Sequence, residues 1–252
     1  MKGITLLFAL AVLFSIKSVN AFELIAHRGI NGSLKENTLE AIESAWKKGA
    51  DAVEVDVRMS VDGILYLFHD PSIGGVPVKQ LSYERIKQLD PDIVRLETVF
   101  ELGIPPGYYI LDFKETDPSF IKTLSKLLVS NLFPEAKIAL QSSDASVLKS
   151  LKKAKPEMNL IKLSKLRRNL PWVINPENKR LLRELTALNI TTLNIQGRQF
   201  IDENYLQLFQ DKGIKVIVWT INDLQRIQHY KNIGADGVVT DVLDDILQHL
   251  PF

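Results

Sequence analysis

Residues whose side chains could do acid–base or metal chemistry collect in one stretch, residues 25–71. The stretch contains His27, His69, Glu54 and Asp56, and apolar runs precede these sites. A titratable side chain at the end of a buried strand is costly unless it has a partner. Imidazole can give or take a proton near neutral pH, and carboxylates can hold a hard metal ion. The pattern therefore indicates chemistry at the ends of strands.

The carboxylates follow a strand alternation that places them on one face. Glu54 and Asp56 are two residues apart, so both point to one side of a predicted strand while the neighbouring valines point to the other. Asp112 and Lys114 repeat this arrangement in the next strand. In a barrel, inward-facing side chains at the C-terminal strand ends converge on one mouth. Three carboxylates meeting there cannot all stay ionised without a cation, and oxygen ligands favour Mg²⁺ or Ca²⁺ over zinc.

An alternative interpretation is purely structural. The carboxylates could form ion pairs with Arg28, Arg58 and Lys114, since charge clusters also occur without a catalytic role. Two histidines beside three carboxylates, an arginine and a lysine nevertheless fit the cleavage of a phosphoryl ester. That reaction needs a metal and cations for the phosphate charge, a base for the nucleophile and an acid for the leaving alcohol. His229 and His249 fall in helical surface patterns and are not candidates.

The elements that must position these residues alternate between strand and helix patterns. Such alternation predicts βα units and a parallel sheet, and eight units over this length predict a single-domain α/β fold, the (β/α)8 or TIM barrel. The eight strands are predicted at Glu23–Ala26, Ala52–Val57, Tyr108–Phe113, Lys137–Leu140, Asn159–Leu163, Thr191–Ile195, Lys215–Trp219 and Gly237–Thr240.

The segments between the strands read mainly as helices. Asn37 with Glu40 three residues later predicts a capping box that opens a helix to about Lys48. Ile64–Phe68 is predicted to pair with the second strand or to extend it, and residues 71–107 form a short irregular excursion. Helical turns are predicted near Tyr83–Leu89 and Leu96–Leu102, and helices over Ser119–Val129, from Asp144, near Asn178–Leu188, from Asp202, from Asn222 and over Leu243–Leu250.

The first 21 residues read as a cleavable signal peptide. Lys2 provides the basic start, Ile4–Ile16 is almost entirely apolar, and Val19–Ala21 ends in the small residues of a cleavage site. We expect cleavage before Phe22, export to the periplasm or the medium, and a barrel domain over residues 22–252. An uncleaved membrane anchor is the alternative, but an apolar stretch of about 13 residues is shorter than the roughly 20 that span a bilayer.

The composition limits the classes of molecule that the protein is expected to bind. The 252 residues include 31 basic and 30 acidic ones, and loss of residues 1–21 leaves 29 basic against the same 30 acidic. This balance argues against general binding of nucleic acid. The chain has no cysteine, so no disulfide framework supports the fold. Lys149–Arg168 holds eight basic residues and one acidic residue; it is either a solvated face or a basic rim that attracts an anionic substrate or makes weak contact with a membrane surface.

Several short motifs in a fixed order carry a family resemblance. They are His27-Arg28-Gly29, Glu36-Asn37-Thr38, Glu54-Val55-Asp56, Asp62-Gly63 and His69-Asp70, followed later by Gln141-Ser142, Trp219-Thr220-Ile221-Asn222 and Gly234-Ala235-Asp236-Gly237-Val238-Val239-Thr240-Asp241. The chain thereby resembles the glycerophosphodiester phosphodiesterases over nearly all of residues 23–250. The resemblance implies an enzyme that cleaves glycerophosphodiesters to sn-glycerol 3-phosphate and an alcohol.

The resemblance also implies roles for single residues. One divalent cation, Mg²⁺ or Ca²⁺, would be bound by three carboxylates, two histidines would serve as general acid and base, and two cations would hold the phosphate. These are Glu54, Asp56 and Asp112; His27 and His69; and Arg28 and Lys114. Trp219 would offer an apolar wall to the glycerol carbons, or would simply belong to the core. The glycerol hydroxyl beside the phosphate would act as an internal nucleophile, and water would open the resulting cyclic phosphate.

The sequence also departs from the family pattern. Asp112 stands where the family usually has Glu, so the carboxylate is one methylene shorter and the distance to a metal is expected to differ. Lys35 replaces the proline before Glu36-Asn37-Thr38, which affects the entry to the helix. Two other functions remain open, namely a phospholipase D acting on lysophospholipids and a non-catalytic barrel that only binds phosphodiesters. The oligomeric state is also open.

Overall fold

The barrel predicted from the sequence is confirmed. A computed structural model describes residues 22–29, 32, 34–129, 137–165, 176–197 and 201–249. The strands are β1 (Glu23–Ala26), β2 (Ala52–Met59), β3 (Leu65–Leu67), β4 (Ser72–Ile73), β5 (Val76–Pro77), β6 (Tyr108–Phe113), β7 (Ile138–Ser142), β8 (Asn159–Ser164), β9 (Thr192–Gln196), β10 (Lys215–Trp219) and β11 (Gly237–Thr240). Strands β1, β2 and β6–β11 are parallel neighbours, and β1 pairs with both β2 and β11, so the sheet closes on itself.

Helices follow the barrel strands on the outside. Their bounds are α1 (Leu39–Lys47), α2 (Tyr83–Leu89), α3 (Leu96–Glu101), α4 (Pro118–Val129), α5 (Ala145–Ala154), α6 (Pro176–Ala187), α7 (Glu203–Gln210), α8 (Leu224–Asn232) and α9 (Leu243–His249). The caps Asp144 and Asp202 lie where the sequence placed the starts of two helices. Leu250, the predicted end of the last helix, lies outside the described residues.

Two predicted helix starts are wrong. Thr38, and not Asn37, caps α1, and its hydroxyl accepts a hydrogen bond from the main-chain nitrogen of Ala41. Asp223, and not Asn222, caps α8 by accepting from the main-chain nitrogen of Arg226. In both cases the asparagine side chain instead binds a carboxylate of the barrel mouth, a contact that a helix propensity cannot reveal.

The alternation along the strands separates two apolar layers. Val53, Val55 and Val57 of β2 belong to the large core between the sheet and the helices. The opposite strand face points into the barrel, where small and branched side chains form a closed inner layer. This inner layer consists of Ile25, Ala52, Ile110, Ala139, Ile161, Ile217 and Val239. Glu54 and Asp112 are each two residues beyond a member of this layer, so the layer forms the floor beneath them.

The excursion over residues 71–107 is more regular than expected, although it forms no separate domain. It contains a small hairpin, β4–β5, and the two short helices α2 and α3. A satellite cluster of Tyr66, Tyr83, Ile86 and Ile93 packs it together, while side chains of α3 join the main core. Strand β3 pairs antiparallel with β2 and so returns the chain towards the barrel mouth.

The basic segment is not one continuous exposed face. Lys149 and Lys153 are exposed on α5, but Lys162 is only 7% exposed. Its ammonium group donates to the main-chain oxygen of Ser143 at 2.6 Å and lies 3.5 Å from a carboxylate oxygen of Glu184. Residues 166–168 of this segment, and the predicted signal peptide over residues 1–21, lie outside the described residues. Over the described ranges, no helix combines the length and apolarity needed to cross a membrane.

The inner layer should be costly to disturb. Ile110 is fully buried below Asp112, so Ile110→Ala should lower the free energy of unfolding by about 2–5 kcal/mol through the cavity it leaves. Ile104→Ala removes the same atoms at a position that is 74% exposed and should change stability by less than about 0.5 kcal/mol. Urea unfolding of both variants measures the difference, and equal losses would contradict the layered packing.

Candidate active site

Three carboxylates meet at the C-terminal mouth of the barrel. Glu54 and Asp56 extend from β2, and Asp112 extends from β6, where it lies directly opposite Asp56 in the strand register. All three residues are buried, and one carboxylate oxygen from each lies within 4.8 Å of those of the other two. The convergence predicted from residue spacing is therefore present.

Burial makes it difficult to ionise all three carboxylates. Removal from water, together with the nearby charge of Asp56, raises the pKa of Glu54 to about 8. Burial likewise raises the pKa of Asp112, although Lys114 opposes this change. At Asp56, burial also opposes ionisation, but Lys114 and Arg28 outweigh it and hold the pKa below its usual value.

Two cations provide that compensation. Lys114 Nζ lies 2.7 Å from Asp56 Oδ1 and also contacts Asp112 Oδ2. Arg28 Nε lies 3.1 Å from Asp56 Oδ2. The ion pairs of the structural interpretation are thus present for Arg28 and Lys114. Arg58 takes no part in them, because its guanidinium pairs with Glu115.

The three carboxylates fit a hard divalent cation. Among the described residues, Asp112 Oδ1 is buried and accepts no hydrogen bond. A buried carboxylate oxygen without a donor is unfavourable, and a metal ligated there would satisfy it. The donor set contains only oxygen, which favours Mg²⁺ or Ca²⁺ over softer metals. Glu54, Asp56 and Asp112 are therefore the residues that could hold an ion.

A strained turn holds Arg28 over this cluster. Arg28 has a φ of 54°, in the left-handed region that is unfavourable for a residue with a side chain. The turn brings its main-chain nitrogen within 3.0 Å of Glu54 Oε2, to which it donates. At Gly29, with a φ of 66°, an added Cβ would lie 2.9 Å from the main-chain nitrogen of Ile42. Only glycine therefore allows the turn to pack this closely on α1.

Glu36 and Asn37 support the same turn. Glu36 Oε2 accepts a hydrogen bond from Arg28 Nη1 at 2.7 Å. Asn37 is buried, donates from Nδ2 to Asp56 Oδ2 at 2.8 Å, and accepts at Oδ1 from the main-chain nitrogen of Asp56 at 2.9 Å. Its side chain thus fixes both the backbone and the carboxylate of Asp56.

His27 forms a pair with Asp241 across the closure of the barrel. His27 Nδ1 lies 2.6 Å from Asp241 Oδ1. Burial alone would lower the pKa of His27, but the hydrogen bond to Asp241 and the negative charge of Glu54 together raise it. Asn222 donates from Nδ2 to Asp241 Oδ2 at 2.7 Å and accepts from the main-chain nitrogen of Asp241 at 2.9 Å. With Nδ1 facing Asp241, Nε2 is the ring nitrogen left for any further contact.

His69 reaches the site through the antiparallel return of β3. The main-chain nitrogen of Phe68 donates to the main-chain oxygen of Asp56 at 3.1 Å, so His69 lies one residue from the level of the acidic cluster. Its Nδ1 is 2.8 Å from Asp70 Oδ1, and its side chain is partly exposed. The second histidine is therefore brought to the same end of the barrel as the first.

Trp219 lies on β10, which is opposite β6 in the closed sheet. Its Nε1 donates to the main-chain oxygen of Asn194 at 3.2 Å, and Lys165 Nζ is 5.5 Å from the centre of the ring. The ring packs on the inner layer and is only partly buried. It is thus both a contact of the core and part of the wall that faces the acidic cluster across the barrel.

Asp241 is the main residue of the site for which the sequence predicted no role. Asp241 ends the motif that begins at Gly234, but its partner His27 is 214 positions away in the chain. Glu36 likewise has no predicted role, and Asn37 is predicted only as a helix cap, whereas in the structure they bind Arg28 and Asp56. A usable signal exists for both Asp241 and Asn222. Asp241 directly follows β11, Asn222 lies three residues beyond the end of β10, and active-site residues collect where barrel strands end.

Comparison with known proteins finds relatives that match most of the chain. A glycerophosphodiester phosphodiesterase from Caldanaerobacter subterraneus subsp. tengcongensis is 27% identical over 237 residues, which are 86% of this chain and 93% of that protein. The protein lysophospholipase D GDPD3 of Mus musculus is 26% identical over 86% of this chain and 78% of its own length.

A solved structure shows the same fold. An Oleispira antarctica phosphodiesterase, in complex with the product sn-glycerol-3-phosphate, is 24% identical with a TM-score of 0.77, over 90% of this chain and 95% of that one. The sequence profile of the glycerophosphoryl diester phosphodiesterase family matches residues 27–245, from the first histidine of the site to the last helix. The chain belongs to the glycerophosphoryl diester phosphodiesterase family.

Proposed function

We propose that the protein hydrolyses glycerophosphodiesters to sn-glycerol 3-phosphate and an alcohol, with one divalent metal ion and with His27 and His69 as acid and base. One observation carries the proposal: the three buried carboxylates lie in contact with Arg28 and Lys114, at the same mouth as both histidines. The Oleispira antarctica structure, whose bound product is sn-glycerol-3-phosphate, supports this choice of product.

The balance of charge favours a singly charged phosphodiester. When bound, a divalent ion, Mg²⁺ or Ca²⁺, supplies positive charge that stabilises the negative phosphoryl oxygens. With Glu54 ionised, the three carboxylates, Arg28, Lys114 and such an ion carry a net charge of +1. A phosphodiester carries one negative charge and would neutralise the site. Arg28 and Lys114 would donate hydrogen bonds to its oxygens.

The two histidines would divide the proton transfers. A base takes the proton from the glycerol hydroxyl beside the phosphate, and the oxygen of that hydroxyl attacks phosphorus. An acid gives a proton to the oxygen of the leaving alcohol, so that the products are an alcohol and a cyclic phosphate. Water then opens the ring with the roles reversed. His27 presents Nε2 because Asp241 occupies Nδ1, and Trp219 would contact the glycerol carbons.

Cleavage of lysophospholipids is the second candidate function. It is favoured by the similarity to the mouse protein named lysophospholipase D GDPD3, and it would use the same site with an acylated glycerol. A barrel that only binds phosphodiesters is disfavoured, because both histidines and the whole acidic cluster are in place. A panel of glycerophosphodiesters and lysophospholipids, assayed with Mg²⁺, Ca²⁺ or EDTA, distinguishes the three functions.

Two further proposals concern location. Export to the periplasm or the medium is supported by the basic start, apolar run and small residues over residues 1–21. Weak contact with an anionic membrane surface is supported by the exposed lysines of the 149–168 segment, including Lys149, Lys153 and Lys165. Lys162 is buried and would not contribute to that contact.

Metal affinity should depend on pH through Glu54. Its raised pKa, about 8, means that metal-stripped protein holds a proton there below pH 8 and that the proton must leave when an ion binds. The affinity should therefore rise with pH and level off above pH 8. Calorimetry in buffers of different ionisation enthalpy measures the proton released.

The variant Glu54→Gln should release no proton on binding and should bind the ion far more weakly. EDTA should abolish wild-type activity reversibly. Full turnover in the presence of chelator would contradict the metal site.

Replacement of either histidine should cripple catalysis without unfolding the protein. His27→Ala and His69→Ala should each lower kcat by roughly 10²–10⁴-fold, and the double variant should lose less than the product of these factors because the residues act as a unit. A substrate with a nitrophenyl leaving group needs no protonation of the leaving oxygen, so the acid should become nearly dispensable and the base should not. Wild-type rates in both variants would rule out the mechanism.

Asp241 should set the proton affinity of His27. Asp241→Asn preserves the shape of the side chain but removes the charge that favours the imidazolium, so the pKa of His27 should fall. The limb of the pH–rate profile that depends on His27 should move to lower pH, and kcat should fall by about 10²-fold. Asp70→Asn is the matched control, because Asp70 touches His69 from an exposed position, and its effect should be much smaller. Equal losses of kcat in Asp241→Asn and Asp70→Asn would contradict a specific role of Asp241 in setting the pKa of His27.

A further inference from the structure

His69 needs a support other than its side-chain neighbour. It lies two residues beyond the end of β3, and its side-chain contact is with Asp70. The Asp70 side chain is 66% exposed, and exposed ion pairs of this kind contribute little free energy. This contact alone does not hold a catalytic imidazole in one position.

Arg58 supplies such a support through the main chain. It is a buried residue near the end of β2, and it donates from Nε and Nη2 to the main-chain oxygen of His69, over 3.2 and 2.7 Å. Its Nη1 donates to Glu115 Oε1 at 2.7 Å. Because the guanidinium group is planar and rigid, contacts on two of its edges fix its orientation. The carbonyl group of His69 is thereby tied to β2 and to the residues that follow β6.

The same two strands carry the acidic cluster. Arg58 shares its face of β2 with Glu54 and Asp56, and Glu115 directly follows Lys114 beyond the end of β6. Movement of His69 relative to the cluster is therefore restrained by one side chain on β2 and one that lies two residues beyond β6. Stability is a weak explanation for the Arg58–Glu115 pair, since apolar residues in place of a buried ion pair are often equally stabilising.

We propose that Arg58 and Glu115 are positioning residues, which hold His69 at a fixed place relative to Glu54 and Asp56. The inference rests on the proposed function, in which His69 transfers a proton. In this proposal neither Arg58 nor Glu115 is assigned a contact with the substrate. Both act through the backbone of His69, so their loss should affect turnover more than substrate binding.

Arg58→Lys tests this directly. Lysine keeps the positive charge opposite Glu115 but cannot donate two hydrogen bonds in a fixed fork. Because displacement of a catalytic group by about 1 Å can cost about 10²-fold in rate, kcat should fall by about that factor, with KM nearly unchanged. Steady-state kinetics on a glycerophosphodiester with saturating metal measures both constants. A wild-type kcat, or a loss confined to KM, would overturn the proposal.

A double-variant cycle separates positioning from general damage. In the His69→Ala background, Arg58→Lys should lower the residual rate no further, because the residue it positions is absent. Losses that multiply would show that Arg58 acts independently of His69 and would overturn the proposal.

Lys162→Met is the matched control. Lys162 is also a buried cation that donates to a main-chain oxygen and faces a glutamate, but it lies on the outer side of β8, away from the site. It should lower the melting temperature and leave kcat unchanged. If Lys162→Met reduced kcat as much as Arg58→Lys, the effect at Arg58 would be one of general stability and the proposal would be wrong.

A second variant covers the case in which Arg58→Lys does not fold. Glu115→Gln keeps an oxygen that can accept from Arg58 Nη1 but removes its charge, so it should lower kcat by about 10-fold and should show the same dependence on His69. Wild-type kcat in Glu115→Gln would then overturn the proposal.

The outcomes also separate failure of this inference from failure of the proposed function. If the wild type cleaves no glycerophosphodiester, or if His69→Ala is fully active, the proposed function fails and this inference fails with it. If wild type is active, His69→Ala is not, and the positioning variants match wild type, only this inference fails.

Discussion

Three carboxylates within 4.8 Å of one another, all buried, are the constraint on which the rest of the site depends. Like charges this close in a region of low dielectric cannot coexist without compensation. The structure supplies it from three directions: Lys114 just beyond the end of β6, Arg28 after β1, and the hydrogen-bond donors of Asn37 and of the Arg28 backbone. Even so, burial keeps the pKa of Glu54 high. The site is therefore built to receive additional positive charge.

The same requirement explains the backbone strain around Arg28. A left-handed conformation at Arg28, and another at Asn37 with a φ of 58°, cost of order 1–3 kcal/mol each. They persist because the turn places one main-chain donor on Glu54 and one side-chain amide on Asp56. Close packing of Gly29 on α1 holds the turn in that shape. The unfavourable backbone conformations are thus offset by the hydrogen bonds that they allow to the carboxylates at the barrel mouth.

Much of this arrangement could be predicted from residue spacing. The two-residue period of β2 and β6 assigned the acidic residues to the barrel interior and the valines to the outer core, because side chains alternate along any strand. Spacing could not show what Asn37 and Asn222 bind, since a hydrogen bond to a buried carboxylate competes with capping and depends on tertiary structure. The pairing of His27 with Asp241 depends on closure of the barrel, which joins residues 214 positions apart. The burial of Lys162 could not be predicted for a related reason. Lys162 lies on the helix-facing side of β8, and its contact with Glu184 depends on the packing of α6.

The structural and the catalytic interpretation of Arg28 and Lys114 describe the same site in two charge states, one without and one with a bound divalent ion. In the structure, Arg28 and Lys114 lie against Asp56 and Asp112, as an ion-paired cluster requires. A divalent ion held by Glu54, Asp56 and Asp112 would take over much of that neutralisation, because its charge would be concentrated at their oxygens. Under the proposed function, the donors of the two side chains can then turn to phosphate oxygens without leaving an uncompensated carboxylate. The pairs seen here are therefore consistent with catalysis, because the groups that would bind the phosphate also stabilise the cluster when no phosphate is bound.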